Sequence, residues 1–170
     1  MENKRRSFSK IETLADAVIT SARKKKRMLV TVESCTGGLL AHSLTNIPGA
    51  SEVFERGWVT YSNEAKVEEV EATSKALKSA GAVSAIVAEQ MARGALKKSR
   101  ADIAISTTGI AGPSGGSKKK PVGLVYLGLA VKKGRSMEVT SFECYFPDTR
   151  AIFKMQATKF ALNLLLTALS

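Results

Sequence analysis

Residues 28–107 alternate short apolar runs with helix-spaced segments, whereas residues 122–146 hold two β-rich runs separated only by Lys132-Lys133-Gly134. Strands separated by helices pair in parallel, and strands joined by a short glycine-containing turn pair antiparallel. Together the two patterns predict an α/β fold: a three-layer α/β/α domain whose mixed sheet includes a C-terminal antiparallel hairpin.

Ile11, Leu14, Ala15, Val18 and Ala22 recur at helical spacing, which predicts an amphipathic helix over about 9–25. Residues 28–32 read as the first strand. A helix over 39–46 follows, ended by Ile47-Pro48-Gly49, and then a strand over 54–61. Further helices are expected over 64–71, over 74–80 with Gly81 as C-cap, and from a Ser84 cap to about 99. A strand over 101–107 enters the Gly/Pro-rich stretch 109–116, the hairpin occupies 122–131 and 135–146, and Asp148 or Thr149 caps a last helix to about 169.

A chain of 170 residues with 44% hydrophobic content reads as one domain over 1–170, with residues 1–8 as a flexible basic start. No apolar stretch approaches a bilayer span and the first residues form no signal-peptide core, so a soluble cytoplasmic protein without membrane association is expected. In a reducing compartment Cys35 and Cys144 stay free. Those two cysteines and the lone His42 give no zinc spacing, so neither metal nor cofactor is expected. The net charge of +11 invites a nucleic-acid partner. Its concentration in Lys4-Arg5-Arg6, residues 23–27 and Lys118-Lys119-Lys120, without interleaved aromatics, reads instead as solvated or helix-end charge. Exposed helices on a small domain predict a homo-oligomer.

The hexapeptide Glu33-Ser34-Cys35-Thr36-Gly37-Gly38 sits where the first strand turns into a helix. Ser34 or Thr36 there is ordinarily an N-cap. A nucleophilic Ser34 would also find backbone amides around Cys35, Thr36 and Gly37 ready to receive an oxyanion. A serine needs a base. His42 lies about 12 Å along the same expected helix, which excludes a Ser-His-Asp arrangement and leaves it as a surface or packing residue. Lysine serves as a base once burial or a neighbouring cation lowers its pKa. Lys66, with Tyr61 to hold or relay a proton and Asn63 to bond substrate, comes from the strand-to-helix edge where open α/β sheets build sites. Alone, each has a plainer role: Lys66 as a solvated helix lysine, Tyr61 as a core residue. Thr107 and Thr108 offer hydroxyls at the entrance of the 109–116 loop, which is not a Walker A sequence. Arg150 and Lys154 are candidate anion partners at the start of the last helix.

These segments, with Phe54-Glu55-Arg56-Gly57, Tyr61-Ser62-Asn63, Gly81-Ala82-Val83-Ser84, Thr108-Gly109-Ile110-Ala111-Gly112-Pro113 and Lys120-Pro121-Val122-Gly123, closely resemble the CinA C-terminal-domain family over nearly the whole chain. Its length matches the stand-alone form. The resemblance implies a nicotinamide-nucleotide amidase acting in pyridine-nucleotide salvage: a metal-free serine amidohydrolase that uses Ser34, Lys66 and Tyr61. It also implies substrate contacts at Asn63, Thr107, Thr108, Gly109 and Arg150, beside the Cys35 to Gly37 turn. Where the family commonly has Val-Arg in the last helix, this chain has Phe153-Lys154, which keeps a charge and loses the guanidinium fork.

Two alternatives remain open at the level of sequence. Cys35 is a rival nucleophile, because a helix N-terminus lowers a thiol pKa. A non-catalytic nucleotide- or nucleic-acid-binding module would use the same pocket and the basic surface.

Overall fold

The computed structural model describes residues 2–170, with side chains from Lys10 onward. The expected flexible basic segment at residues 1–8 lies outside the described side chains. The elements run α1 (Glu2–Lys25), β1 (Leu29–Glu33), α2 (Leu39–Thr45), a 3-10 turn (Ala50–Glu52), β2 (Phe54–Val59), α3 (Asn63–Val70), α4 (Ser74–Ala80), α5 (Ala85–Lys97), β3 (Ile103–Gly109), β4 (Leu124–Lys133), β5 (Ser136–Tyr145) and α6 (Arg150–Ala168).

The sheet order is β2-β1-β3-β4-β5, with β2, β1 and β3 parallel and β4 and β5 antiparallel additions. The expected three-layer α/β/α architecture with a C-terminal hairpin is thus the one observed. Side chains alternate across a strand. Leu29, Ile103, Ile105, Val125 and Leu127 therefore enter one core with α1, α2 and α6. Val30, Val32, Ala104 and Ala130 enter the other with α3, α4 and α5. Among the described residues no helix is long and apolar enough to cross a membrane.

The α5 layer comes unusually close to the sheet at Gly128, where a Cβ would lie 2.2 Å from the carbonyl oxygen of Ala88. Beside it, the buried Ser106 hydroxyl donates to that same oxygen at 2.6 Å and accepts from the Gly128 amide at 3.1 Å.

Several boundaries depart from expectation for identifiable reasons. The second strand ends at Val59 rather than residue 61, because the carbonyls of Thr60, Tyr61 and Ser62 turn toward Lys66 instead of continuing the ladder. The third runs on to Gly109, so the expected loop entrance Thr107-Thr108-Gly109 pairs with Leu127, Tyr126 and Val125. Ser84 precedes α5 without capping it; its hydroxyl donates to Gly81 O at 2.8 Å.

Candidate active site

Order β2-β1-β3 puts a topological switch beside β1: the chain leaves β1 through α2 on one face to reach β2, and returns through α3, α4 and α5 on the other to reach β3. Open α/β sheets bind ligands in the crevice at such carboxyl ends. Here β1 ends in Glu33, β2 leads into Thr60-Tyr61, and β3 ends in Thr108-Gly109.

Strand alternation decides what Glu33 and Ser34 do. Glu33 turns toward α2, fully buried, and its carboxylate accepts from the amides of Gly38 (2.9 Å), Leu40 (3.1 Å) and Ala41 (2.8 Å). It therefore fills the capping role expected of Ser34 or Thr36, while the N-cap position belongs to Gly38 at φ 91°. The positive end of α2 is satisfied by that carboxylate. Among the described residues the amides of Cys35, Thr36 and Gly37 meet no protein acceptor.

Ser34 turns the other way, toward α3. Lys66, 1% exposed, places Nζ 3.1 Å from Ser34 Oγ and donates to the carbonyls of Thr60 (2.8 Å), Ser62 (3.2 Å) and Tyr61 (3.3 Å). Ser62 fixes this arrangement locally by capping α3 through the Ala65 amide at 3.0 Å. No carboxylate among the described residues forms an ion pair with Lys66. Burial holds its ammonium below the usual lysine range, with Cys35 and the exposed Glu64 opposing. The three carbonyls can only accept, so Ser34 is the one member of the cage with a proton to give.

Ser34, Cys35, Tyr61, Asn63, Lys66, Thr108, Gly109 and Arg150 line one cleft of about 190 Å³, together with Ala82, Val83 and Ala111. Thr36 and Thr107, expected against substrate, lie behind it: both are fully buried and their hydroxyls bond each other at 2.7 Å, bracing the turn. Gly37 also stands off the cleft, exposed, where a Cβ would lie 3.3 Å from Lys154 Nζ. Thr108 lines the cleft with its hydroxyl committed to Ala82 O at 2.9 Å. The Tyr61 hydroxyl accepts from Arg150 at 2.7 Å rather than meeting Ser34 or Lys66.

Burial pushes the Cys35 thiol up to about 12, the reverse of the lowering expected at a helix N-terminus. Both cysteines are free. His42 is exposed on α2, against Asn46 at 3.1 Å. Among the described residues no cluster of three or more His, Cys, Asp or Glu could hold a metal ion.

Sequence reasoning missed Glu33 and Lys120. The Lys120 ammonium, expected to be solvated, reaches Ala80 O and, at 2.7 Å, Val83 O, pinning the glycine-rich loop to the cleft wall. Other basic residues are similarly tied down: Arg23 pairs with Glu52 at 3.0 Å and Arg27 donates to Lys132 O at 3.2 Å. The signal for Glu33 was its position, since a carboxylate directly before a strand-to-helix turn faces free amides.

The family model for the CinA C-terminal domain matches residues 11–169. The chain belongs to the CinA C-terminal domain family. Within that family it is 45% identical to the nicotinamide-nucleotide amidohydrolase PncC of Escherichia coli over 92% of this chain and 93% of that protein. It is 53% identical to a relative from Caldicellulosiruptor saccharolyticus named for competence-damage inducibility, over 91% of this chain but only 36% of that longer protein. The chain thus spans about a third of the length of that relative. The crystal structure of the competence/damage inducible protein CihA from Agrobacterium tumefaciens superposes with a TM-score of 0.89 at 44% identity, covering 94% of this chain and 95% of that one.

Proposed function

We propose that this chain hydrolyses the carboxamide of nicotinamide mononucleotide to nicotinic acid mononucleotide and ammonia through a Ser34 acyl-enzyme. The observation that carries the reading is Lys66 Nζ, buried, without a carboxylate partner and 3.1 Å from Ser34 Oγ. The likeness to PncC over nearly the full length of both proteins supports this choice of substrate. The name of the Caldicellulosiruptor relative states no reaction.

In this mechanism neutral Lys66 takes the Ser34 proton as Oγ attacks the amide carbon, and the carbonyls of Thr60, Tyr61 and Ser62 hold the resulting ammonium. The amide of Cys35, the turn residue that lines the cleft beside Ser34, receives the oxyanion. Lys66 passes its proton to the departing nitrogen, which leaves as ammonia. Water then attacks the acyl carbon, Lys66 accepts its proton and returns it to Ser34 Oγ as the ester bond breaks, which releases the acid and restores both the hydroxyl and the neutral amine. Cys35 has no part as nucleophile, because a thiol held near 12 yields almost no thiolate at neutral pH.

The cleft of about 190 Å³ is smaller than the roughly 300–1,000 Å³ that enclose a drug-sized ligand. It therefore takes the pyridine ring and its amide and leaves the ribose phosphate at the mouth, beside Arg150. Incubation with nicotinamide mononucleotide, followed by assays of ammonia and acid product, tests the reading. Ser34→Ala and Lys66→Ala are each expected to lose roughly a thousandfold or more in kcat. An inactive wild-type protein, or variants as active as wild type, overturns it.

A further inference from the structure

Arg150 spans the mouth of the cleft. Its Nη2 donates to the Tyr61 hydroxyl at 2.7 Å and its Nη1 to the Gly112 carbonyl at 3.2 Å, so one guanidinium ties the segment after β2 to the glycine-rich loop after β3. Both acceptors are neutral, and no carboxylate among the described residues pairs with Arg150. A permanent cation with five donors in a planar fork binds an anion more strongly than a phenol and a carbonyl.

Tyr61 is suited to being released. The residue is 60% exposed, whereas its backbone is tied into the site through the carbonyl that accepts from Lys66 Nζ at 3.3 Å. The residue lines the same cleft as Ser34 and Lys66.

We propose that Arg150 is an anion-operated latch on Tyr61. A phosphomonoester arriving at the mouth takes the guanidinium from the phenol, and the freed hydroxyl turns inward to join the Ser34–Lys66 pair as a proton carrier. The latch rests on the amidase reading above and adds a requirement to it: the anion must be present, but it need not be covalently attached to the amide undergoing hydrolysis.

A divided substrate tests this. Nicotinamide riboside, which lacks the phosphate, is assayed with and without millimolar inorganic phosphate, alongside nicotinamide mononucleotide. The expected result is a crossed effect, in which phosphate inhibits mononucleotide turnover competitively yet raises kcat/KM for the riboside by roughly tenfold or more. An arginine that only adds affinity gives the inhibition without the activation. In Tyr61→Phe phosphate should still compete with the mononucleotide and no longer activate the riboside. In Arg150→Ala both effects should disappear, and Arg150→Lys, which keeps the charge without the fork, should weaken both. Mononucleotide turnover with a riboside rate unmoved by phosphate overturns the latch and leaves the amidase reading standing. Activation that persists in Tyr61→Phe overturns the latch as well. A wild-type protein inactive on both amides overturns the amidase reading and the latch together.

Discussion

Glu33 and Ser34 are consecutive residues at the end of β1 that face opposite layers, the carboxylate meeting three amides at the start of α2 and the hydroxyl meeting Lys66 of α3. The turn between them is therefore held from both sides: any movement that relaxes Glu33 also displaces the Ser34 hydroxyl.

Glu33→Gln keeps the shape and replaces an acceptor-only carboxylate with an amide that must present a donor to one of those N–H groups. Loss of charge-assisted bonds in a fully buried setting should cost about 2–4 kcal/mol of stability. Denaturant unfolding measures it, and kcat should fall in the still-folded variant. Unchanged stability would show that the carboxylate does not organise the turn.

Lys66 links activity and stability to pH with a definite sign. Its folded-state pKa lies below the usual lysine value, so the folded chain releases this proton before the unfolded chain does. At pH below the folded value the full cost of burying the charge is present, and it is lost as pH rises through the interval up to the unfolded pKa. Wild type should therefore gain stability relative to Lys66→Met across that interval. The acid limb of kcat/KM should rise to a plateau below the ordinary lysine range. A stability difference that stays flat, or shrinks, with rising pH contradicts a buried neutral amine.

For Cys35 the expected outcome is silence. A thiol held near 12 should resist iodoacetamide in the native state at neutral pH and react once the chain is unfolded. Cys35→Ala should keep activity within a few-fold while losing about 1 kcal/mol of packing. Abolished activity in a folded Cys35→Ala protein would return the thiol to the mechanism.

Two glycines separate crowding from backbone conformation. Gly128→Ala drives a methyl to 2.2 Å from the Ala88 carbonyl and should cost about 3 kcal/mol or more, because α5 has to move off the sheet. Gly134→Ala, at φ 61° with open space around it, should cost only about 1 kcal/mol. Comparable thermal shifts for the two would refute the close approach of α5.

The layering was legible in the sequence because strands and helices carry different apolar periods, and the hairpin because only Lys132-Lys133-Gly134 separates its runs. The pairing of Ser34 with Lys66 was legible only as a co-occurrence of residues on two strand-to-helix edges. Their meeting depends on β1 and β2 lying side by side, a long-range fact that no local pattern encodes. Nothing in the sequence tells that the hydroxyls of Thr36 and Thr107 face each other, since a hydroxyl looks the same there whether it faces a cleft or another hydroxyl. The Tyr61–Arg150 bond joins residues far apart in the chain, and nothing near either residue announces it. The run Lys118-Lys119-Lys120 reads as solvated charge because a lysine run hides which member turns inward.

Every residue of β1 is buried, on both faces of the sheet. Its apolar pattern therefore does little to penalise a strand that slides by one position, an error that elsewhere exposes a hydrophobic face. In this chain the slip would swap neighbours: a carboxylate would swing against Lys66 and a serine against the α2 amides. The ion pair formed would keep the amine protonated and remove the base that the proposed reaction needs. What defends the correct alignment is the demand of three peptide N–H groups for Glu33, so the bond set that looks like mere helix capping acts as the strand's proofreader.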